Sequence, residues 1–381
     1  MAVTPPELLV VAGEASGDLH GARLISELRR RVPDLATFGL GGDEMQAAGL
    51  EAVAHSSEIS VVGLTEALKV LPRAREVFAG LLREVDRRRP VLAVLIDSPE
   101  FNLRLARQLK RRGVEVAYYV SPQVWAWRRG RIKTIGRLVD RMLVFFPFEV
   151  DLYRRHGVDV VHVGHPLLDE VPQLPQAWDR GEPVGEPYRV ALLPGSRLSE
   201  IEALLPTLLA AVKRLASELP IEARIVQAPT IAREVLEDHV ELSGLPVRIV
   251  AEDRFAVIAD SHLALCASGT ATLEVGLLGT PMVMVYRLAS WTYALAKLMV
   301  RLPDVSLVNL VSGRRVIPEL IQSEANPERI AAEAARLLTD AAARNEMRTA
   351  LGELRRRLGE GGATGRAAAE VASMLAEAAR N

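Results

Sequence analysis

Short apolar runs alternate with amphipathic stretches along most of this chain. In the first half the runs are Leu8–Ala12, Leu92–Ile96, Val114–Val120, Met142–Phe146 and Val160–Val163. In the second half they are Val190–Leu193, Ala223–Val226, Val247–Val250, Leu263–Cys266, Met282–Tyr286 and Val305–Val308. Runs this short, apolar at consecutive positions and separated by helical patterns, predict βαβ units around parallel sheets. Residues 166–187 are rich in Pro, Gly, Asp and Glu and follow no clear period, which predicts a linker. Beyond Pro327 the spacing is helical, broken at Gly359, Gly361 and Gly362 before a last helix. No short-period repeat is present. The pattern as a whole predicts an α/β chain of two doubly wound parallel sheets facing one cleft. In such sheets ligands sit beyond the carboxyl ends of the strands.

Composition narrows the functional classes. The chain has 381 residues, of which 49% are hydrophobic, so core is ample and global disorder is excluded. Its formal net charge is −1, which argues against general nucleic-acid binding. Cys266 is the sole cysteine, so intramolecular disulfides and cysteine-rich metal sites are ruled out. That fits a reducing cytoplasm. Leu8–Ala12 is too short for a signal-peptide core, and no apolar run approaches the ~18 residues of a spanning helix. Contact with a membrane, if made, is expected from the surface.

Two strand-to-helix turns in the second half carry the clearest chemistry. One strand runs into Pro194-Gly195-Ser196-Arg197 and a long helix; another ends at Cys266 and runs into Ser268-Gly269-Thr270. First-turn amides lack helical partners and the helix dipole favours negative charge, so two such turns predict an anion site. Arg197 adds a forked donor for phosphate oxygens. Glu274, one turn into its helix, suits a ribose diol, as acids do in other nucleotide folds. Together these turns read as a nucleotide-diphosphate site. Asn309, closing the Val305–Val308 run, fits either an amide contact to sugar or base or a turn position.

The first half offers a carboxylate. The run ending at Ile96 delivers Asp97 to the same end of the sheet, ahead of Ser98-Pro99-Glu100-Phe101-Asn102. Asp97 suits a proton acceptor for an attacking hydroxyl; its structural alternative is a cap for the helix that Pro99 opens. Glu100 is a weaker candidate, facing solvent. Gly13-Glu14-Ala15-Ser16-Gly17-Asp18 follows the first run, with Glu14, Ser16 and Asp18 as candidate acceptor contacts or helix caps. No metal constellation, P-loop or nucleophile elbow appears; His162 and His165 flank Gly164 without acidic partners. No metal and no cofactor are expected.

Two further segments are ambiguous between core and contact surface. Val61, Val62, Leu64, Leu68 and Leu71 lie in an aliphatic stretch framed by Lys69, Arg73 and Arg75, consistent with a helix in a bilayer interface or with one packed on a core. Trp125, Trp127, Arg128 and Arg129 stand together, fitting buried indoles or an acceptor site for a phosphorylated lipid.

These motifs, in this order, resemble the lipid-A-disaccharide synthases. The resemblance runs nearly end to end and rests on Gly13–Asp18, Gly41-Gly42-Asp43-Glu44-Met45, Ile96–Asn102, the Ser121-Pro122 to Trp127 segment, Leu193–Arg197 and Ala267–Glu274. It implies a GT-B fold of two Rossmann-like domains: residues 1–170 for the acceptor, a linker at 171–187, residues 188–362 for the UDP-sugar, and a helix at 363–381 packing back on the first domain. It implies an inverting, metal-independent transfer of 2,3-diacylglucosamine from UDP to 2,3-diacylglucosamine 1-phosphate, giving a β(1→6) disaccharide and UDP. Asp97 matches the family's catalytic carboxylate; Arg197, Glu274 and Asn309 match its UDP contacts, beside Gly195, Ser196, Ser268, Gly269 and Thr270. Ser98 and Glu100 stand where the family is expected to carry Ala and Asp, which weakens any role for Glu100. The expected partners are the two diacyl sugars and, peripherally, the cytoplasmic face of the inner membrane; no nucleic acid is expected, and a homodimer is compatible. The rival readings are a UDP-N-acetylglucosamine 2-epimerase, a glycosyltransferase making a cell-wall lipid, and an inactive nucleotide-sugar-binding membrane scaffold.

Overall fold

The computed structural model describes residues 6–59, 64–125, 130–181, 183, 186–288, 304–378 and 380, with backbone only for 64–70 and 180. The chain divides into two compact units, Met1–Pro166 with Gly361–Asn381, and Leu167–Glu360.

Among its described residues the first unit holds seven parallel strands: β1 Glu7–Ala12, β2 Ala36–Gly41, β3 Glu51–His55, β4 Leu92–Ile96, β5 Glu115–Tyr119, β6 Arg141–Val144 and β7 Val160–His162. Their order is β3-β2-β1-β4-β5-β6-β7. Successive residues of a strand face opposite sides, so the central runs feed two cores. Leu9, Val11, Ala93 and Leu95 pack with Leu81 and Leu105 on one face. Leu8, Val10, Leu92, Val94 and Ile96 pack with Leu24 and Leu28 on the other. That second core is completed by the last helix, Ala363–Ala378, through Ala367, Val371 and Leu375. Arg366 of this helix donates to the Val163 carbonyl at 2.9 Å.

Among its described residues the second unit holds six parallel strands: β8 Tyr188–Leu193, β9 Ile221–Val226, β10 Arg248–Val250, β11 Leu263–Ala267, β12 Met282–Tyr286 and β13 Glu319–Ile321, in the order β10-β9-β8-β11-β12-β13. Residues 171–187 were expected as a linker. In the structure Ala177–Arg180 forms a short 3-10 helix of this unit. The Trp178 indole is buried, donates to the His262 carbonyl at 2.8 Å and lies under the Arg344 guanidinium at 3.7 Å.

Strands β2, β3 and β13 escape the apolar-run reading. β2 alternates with glycines, and at Gly39 a Cβ would meet the Val10 carbonyl at 2.0 Å. β3 is an edge strand with Glu51 and Ala52 exposed. Val305–Val308, expected as a strand, instead starts the helix Leu307–Ser312, because Ser306 caps it by accepting from the Asn309 N–H at 3.1 Å.

In both sheets the chain order reverses once. It winds outward from β1 through β2 to β3 and restarts at β4, beside β1; it winds from β8 through β9 to β10 and restarts at β11, beside β8. These are topological switch points, where flanking connections diverge and leave a crevice. Ala12 pairs with Ile96 at one, and Leu193 with Cys266 at the other. Asp97 and Glu14 therefore leave the first sheet at one level, and Arg197 and Ser268 leave the second likewise.

Candidate active site

Asp97 occupies the residue after β4. Its φ is 47° and that of Ser98 is 42°, two successive non-glycine residues in the left-handed region. Such conformations persist only where surroundings enforce them. The Asp97 N–H donates to the Tyr119 carbonyl at 3.1 Å, extending the ladder by one residue. The Asp97 carbonyl accepts from Asn102 Nδ2 at 2.8 Å and from the Tyr118 hydroxyl. Burial pushes the Asp97 carboxyl up to about 6; the Glu14 charge adds to this and the Ser98 N–H opposes it. A carboxylate in that range holds a transferred proton better than an ordinary aspartate does.

The Gly13–Asp18 loop supplies two kinds of residue. Glu14 is the exposed N-cap residue of the helix Ala15–Arg31, and Ser16 is also exposed. Asp18, expected as an acceptor contact, is turned inward and 5% exposed. Its Oδ1 accepts from the Gly42 and Met45 amides at 2.6 and 3.2 Å, and Oδ2 from the Glu44 amide at 3.1 Å. Those are the unpartnered amides opening the helix Asp43–Ala47, so Asp18 caps a neighbouring element. Glu100 forms an ion pair with Arg131. Trp125, another expected acceptor contact, is 9% exposed and packs edge-on against Phe148 at 5.5 Å between ring centres. Trp127, Arg128 and Arg129 lie outside the described residues. So do Val61 and Val62 and the side chains of Leu64 and Leu68; Leu71, on the helix Leu64–Arg88, is 41% exposed.

In the second unit, Gly195 has φ 126° and a Cβ there would meet Glu200 Oε2 at 2.5 Å, so the tight turn demands glycine. Glu200 was not anticipated. One oxygen accepts from the Ser196 amide at 2.9 Å and the other from Arg197 Nη1 at 2.8 Å. The Ser196 amide, expected open, is thus held by an internal carboxylate, while the Arg197 side chain remains 71% exposed. The spacing from Arg197 to Glu200 is that of a capping box, which was the available signal. Thr230 donates to the Ser196 carbonyl at 2.6 Å and braces the turn from the β9 side.

The β11 turn is more open. Gly269 has φ 143°, and no atom lies within 4 Å of a Cβ placed there. Gly269 and Thr270 are exposed and Ser268 half-buried. Thr272 Oγ1 donates to the Gly269 carbonyl at 2.8 Å and fixes the start of the helix Thr270–Leu277. Glu274, 12% exposed, pairs with Arg254 at 3.1 Å. Burial raises its carboxyl above the usual range, and Arg254 opposes this. No local spacing could have linked Arg254 to Glu274, because the partners come from different helices. Asn309 is buried and engaged on every side. Its Nδ2 donates to the Ile317 carbonyl and to Glu319, and its Oδ1 accepts from the Val316 and Ile317 amides at 2.7 and 3.0 Å.

Residues 8–370 match the family model described as lipid-A-disaccharide synthetase. The chain belongs to the lipid-A-disaccharide synthetase family. A relative from Myxococcus xanthus, lipid-A-disaccharide synthase, is 48% identical over 375 residues, covering 97% of this chain and 98% of its own. Among solved structures, Acinetobacter baumannii MurG is similar at TM-score 0.61 and 14% identity, over 97% of this chain and 100% of that one. UDP-GlcNAc 2-epimerase from Neisseria meningitidis is similar at TM-score 0.58 and 10% identity, over 97% and 100%. At such identities the likeness concerns the fold alone, which is the two-domain GT-B type. MurG and an epimerase share it, so the fold does not choose a chemistry; membership in the lipid-A-disaccharide synthetase family does.

Proposed function

We propose that this chain transfers 2,3-diacylglucosamine from UDP to the 6-hydroxyl of 2,3-diacylglucosamine 1-phosphate. It is a hexosyltransferase of lipid A biosynthesis, and the near full-length family match carries that conclusion. Lipid-linked sugars are its substrates.

The chemistry follows from two groups. The acceptor oxygen attacks the anomeric carbon opposite UDP and gives its proton to the Asp97 carboxylate. The new carbon–oxygen bond forms as the bond to the diphosphate breaks, and the electron pair leaves on the β-phosphate oxygen. Inversion follows from single displacement. Arg197, in competition with Glu200, and the helix-start amides at Gly269–Thr270 take up the developing charge, with the Ser196 amide joining them only once Glu200 lets it go, so the reading requires no metal ion. Support comes from the position of these turns at the switch point of the second sheet, and of Asp97 at that of the first. Glu274, steadied by Arg254, holds the ribose. Asn309 contributes by fixing the Val316–Ile317 backbone. Glu14 and Ser16 face the acceptor, with Trp127, Arg128 and Arg129 for its phosphate.

Among the described residues no helix is long and apolar enough to cross a membrane. Acylated substrates stay in the bilayer, so we place the enzyme peripherally on its cytoplasmic face, through the stretch Val61 to Leu71. One assay tests the reaction: supply both diacyl sugars and follow UDP and disaccharide. Epimerised UDP-sugar formed without acceptor would support the rival chemistry instead.

A further inference from the structure

Six described non-glycine residues have positive φ, and only Asp97 and Ser98 are adjacent among them. Left-handed backbone suits isolated Asn, Asp or Gly residues, and two in succession without glycine require external restraint. The restraint is visible. Asn102 is fully buried although it is an amide on the helix Pro99–Arg111, and its side chain turns back to the end of β4. Nδ2 donates to two successive carbonyls, Ile96 at 3.0 Å and Asp97 at 2.8 Å. The Asn102 backbone N–H donates to the Ser98 carbonyl at 3.0 Å. From β5, the buried Tyr118 hydroxyl donates to the same Asp97 carbonyl. Three consecutive carbonyls, at 96, 97 and 98, are thus tied to Asn102, and the middle one is tied twice.

A buried amide spent on main-chain carbonyls of a strained turn has little to do with packing, since a leucine would fill the space with less desolvation. Its geometric effect is specific. Anchoring the Asp97 carbonyl fixes the peptide plane between Asp97 and Ser98, and with it the direction in which the Asp97 side chain leaves the strand. Released, the pair would relax toward ordinary extended or helical backbone, and the carboxylate would swing with it.

We propose that Asn102 and Tyr118 form a carbonyl clamp that positions Asp97 for proton transfer. Neither contacts substrate; both are positioning residues. The inference rests on the reading of Asp97 as the general base.

The test is a double-mutant cycle on the full chain, with kcat and donor KM measured for Tyr118→Phe, Asn102→Ala, Asp97→Asn and the two doubles. Small misplacements of a reacting group cost up to about 100-fold in rate. Tyr118→Phe should lower kcat about 5–10-fold and Asn102→Ala about 10–100-fold, with donor KM within about 2–3-fold of the parent. In the Asp97→Asn background each second change should cost less than about twofold, because groups acting through one residue are not additive. Equal losses in both backgrounds would overturn the clamp, as would an unchanged kcat in Tyr118→Phe. If Asn102→Ala fails to melt cooperatively, Tyr118→Phe, which removes one oxygen from a buried ring, carries the test alone. A near-normal rate in Asp97→Asn would overturn the base reading itself, visibly in a single variant.

Discussion

The hydroxyl of Ser98 lies 2.7 Å from where a Cβ on Gly13 would stand, and the Ser98 Cβ 3.2 Å from it. The turns after β1 and β4 are therefore in contact with no room to spare. Gly13→Ala should displace Ser98 and, through it, Asp97, lowering kcat roughly tenfold. Adding Ser98→Gly removes the nearest atoms, leaves only the movable Ile59 Cδ1 at 3.2 Å and suits the left-handed backbone, so the double variant should recover most of the rate. Steady-state kinetics on the three chains decides this.

The pH dependence of turnover follows from the Asp97 environment. Burial, then Glu14, push its carboxyl up to about 6, so as the proposed base it is protonated and idle below that pH. Turnover should rise through an acid limb near 6. Glu14→Gln removes the neighbouring charge and leaves burial in place, which should move the limb to lower pH. A limb that stays or moves upward in kcat/KM profiles would discount the Glu14 effect.

Asp97→Asn should separate function from stability. Turnover should fall about 100- to 10,000-fold while UDP still binds. Because the folded-state carboxyl is raised, the native protein holds a proton that the unfolded chain has already released. Stability is thus lost as pH rises from the ordinary aspartate range through about 6, and stays lost above it. Asparagine does not titrate, so the variant should be more stable than the parent at pH 8 by up to about 2–3 kcal/mol, with the gap closing near pH 4. Chemical denaturation at the two pH values measures it.

Asp18→Ala should do the reverse. Three amides lose their buried acceptor, costing about 2–4 kcal/mol in unfolding free energy, while substrate KM changes little. A large KM effect with unchanged melting would restore Asp18 to the acceptor site.

Arg197 and Glu200 should act on UDP with opposite signs. A charge-assisted hydrogen bond is worth about 1.5–3 kcal/mol, so Arg197→Ala should weaken UDP roughly 10- to 100-fold. Glu200 occupies two donors that the proposed diphosphate site would use. Glu200→Gln weakens that hold and should tighten UDP severalfold. Calorimetric titration of UDP into each variant reads both.

The strands that form both sheet centres could be read from the sequence because they are buried on two faces and leave unbroken apolar runs. The edge β3 could not, since an exposed edge keeps charge, as at Glu51, and neither could β13, which is three residues long and opens on a buried glutamate, Glu319. Of the candidate site, the placement of Asp97 and of the two glycine turns at strand ends was legible, since position at a strand end and glycine spacing are local properties. The direction of a side chain is not. Asp18 lies one helical turn from Glu14, yet its carboxylate serves amides 24–27 residues away. Asn309 fell to the strength of one cap, Ser306, which turns an apolar run into a helix and directs the amide inward.

The closing helix gives the fold an order of completion. Ala367, Val371 and Leu375 finish a core begun by Leu8 and Val10. A ribosome therefore delivers nearly all of the first unit, then the entire second unit, before the segment that seals the first. During that interval an apolar face around Leu24 and Leu28 is left without its cover, while the second unit already has every strand it needs. Nascent chains stalled just short of Gly361 should therefore carry a protected second unit and a protease-sensitive first one.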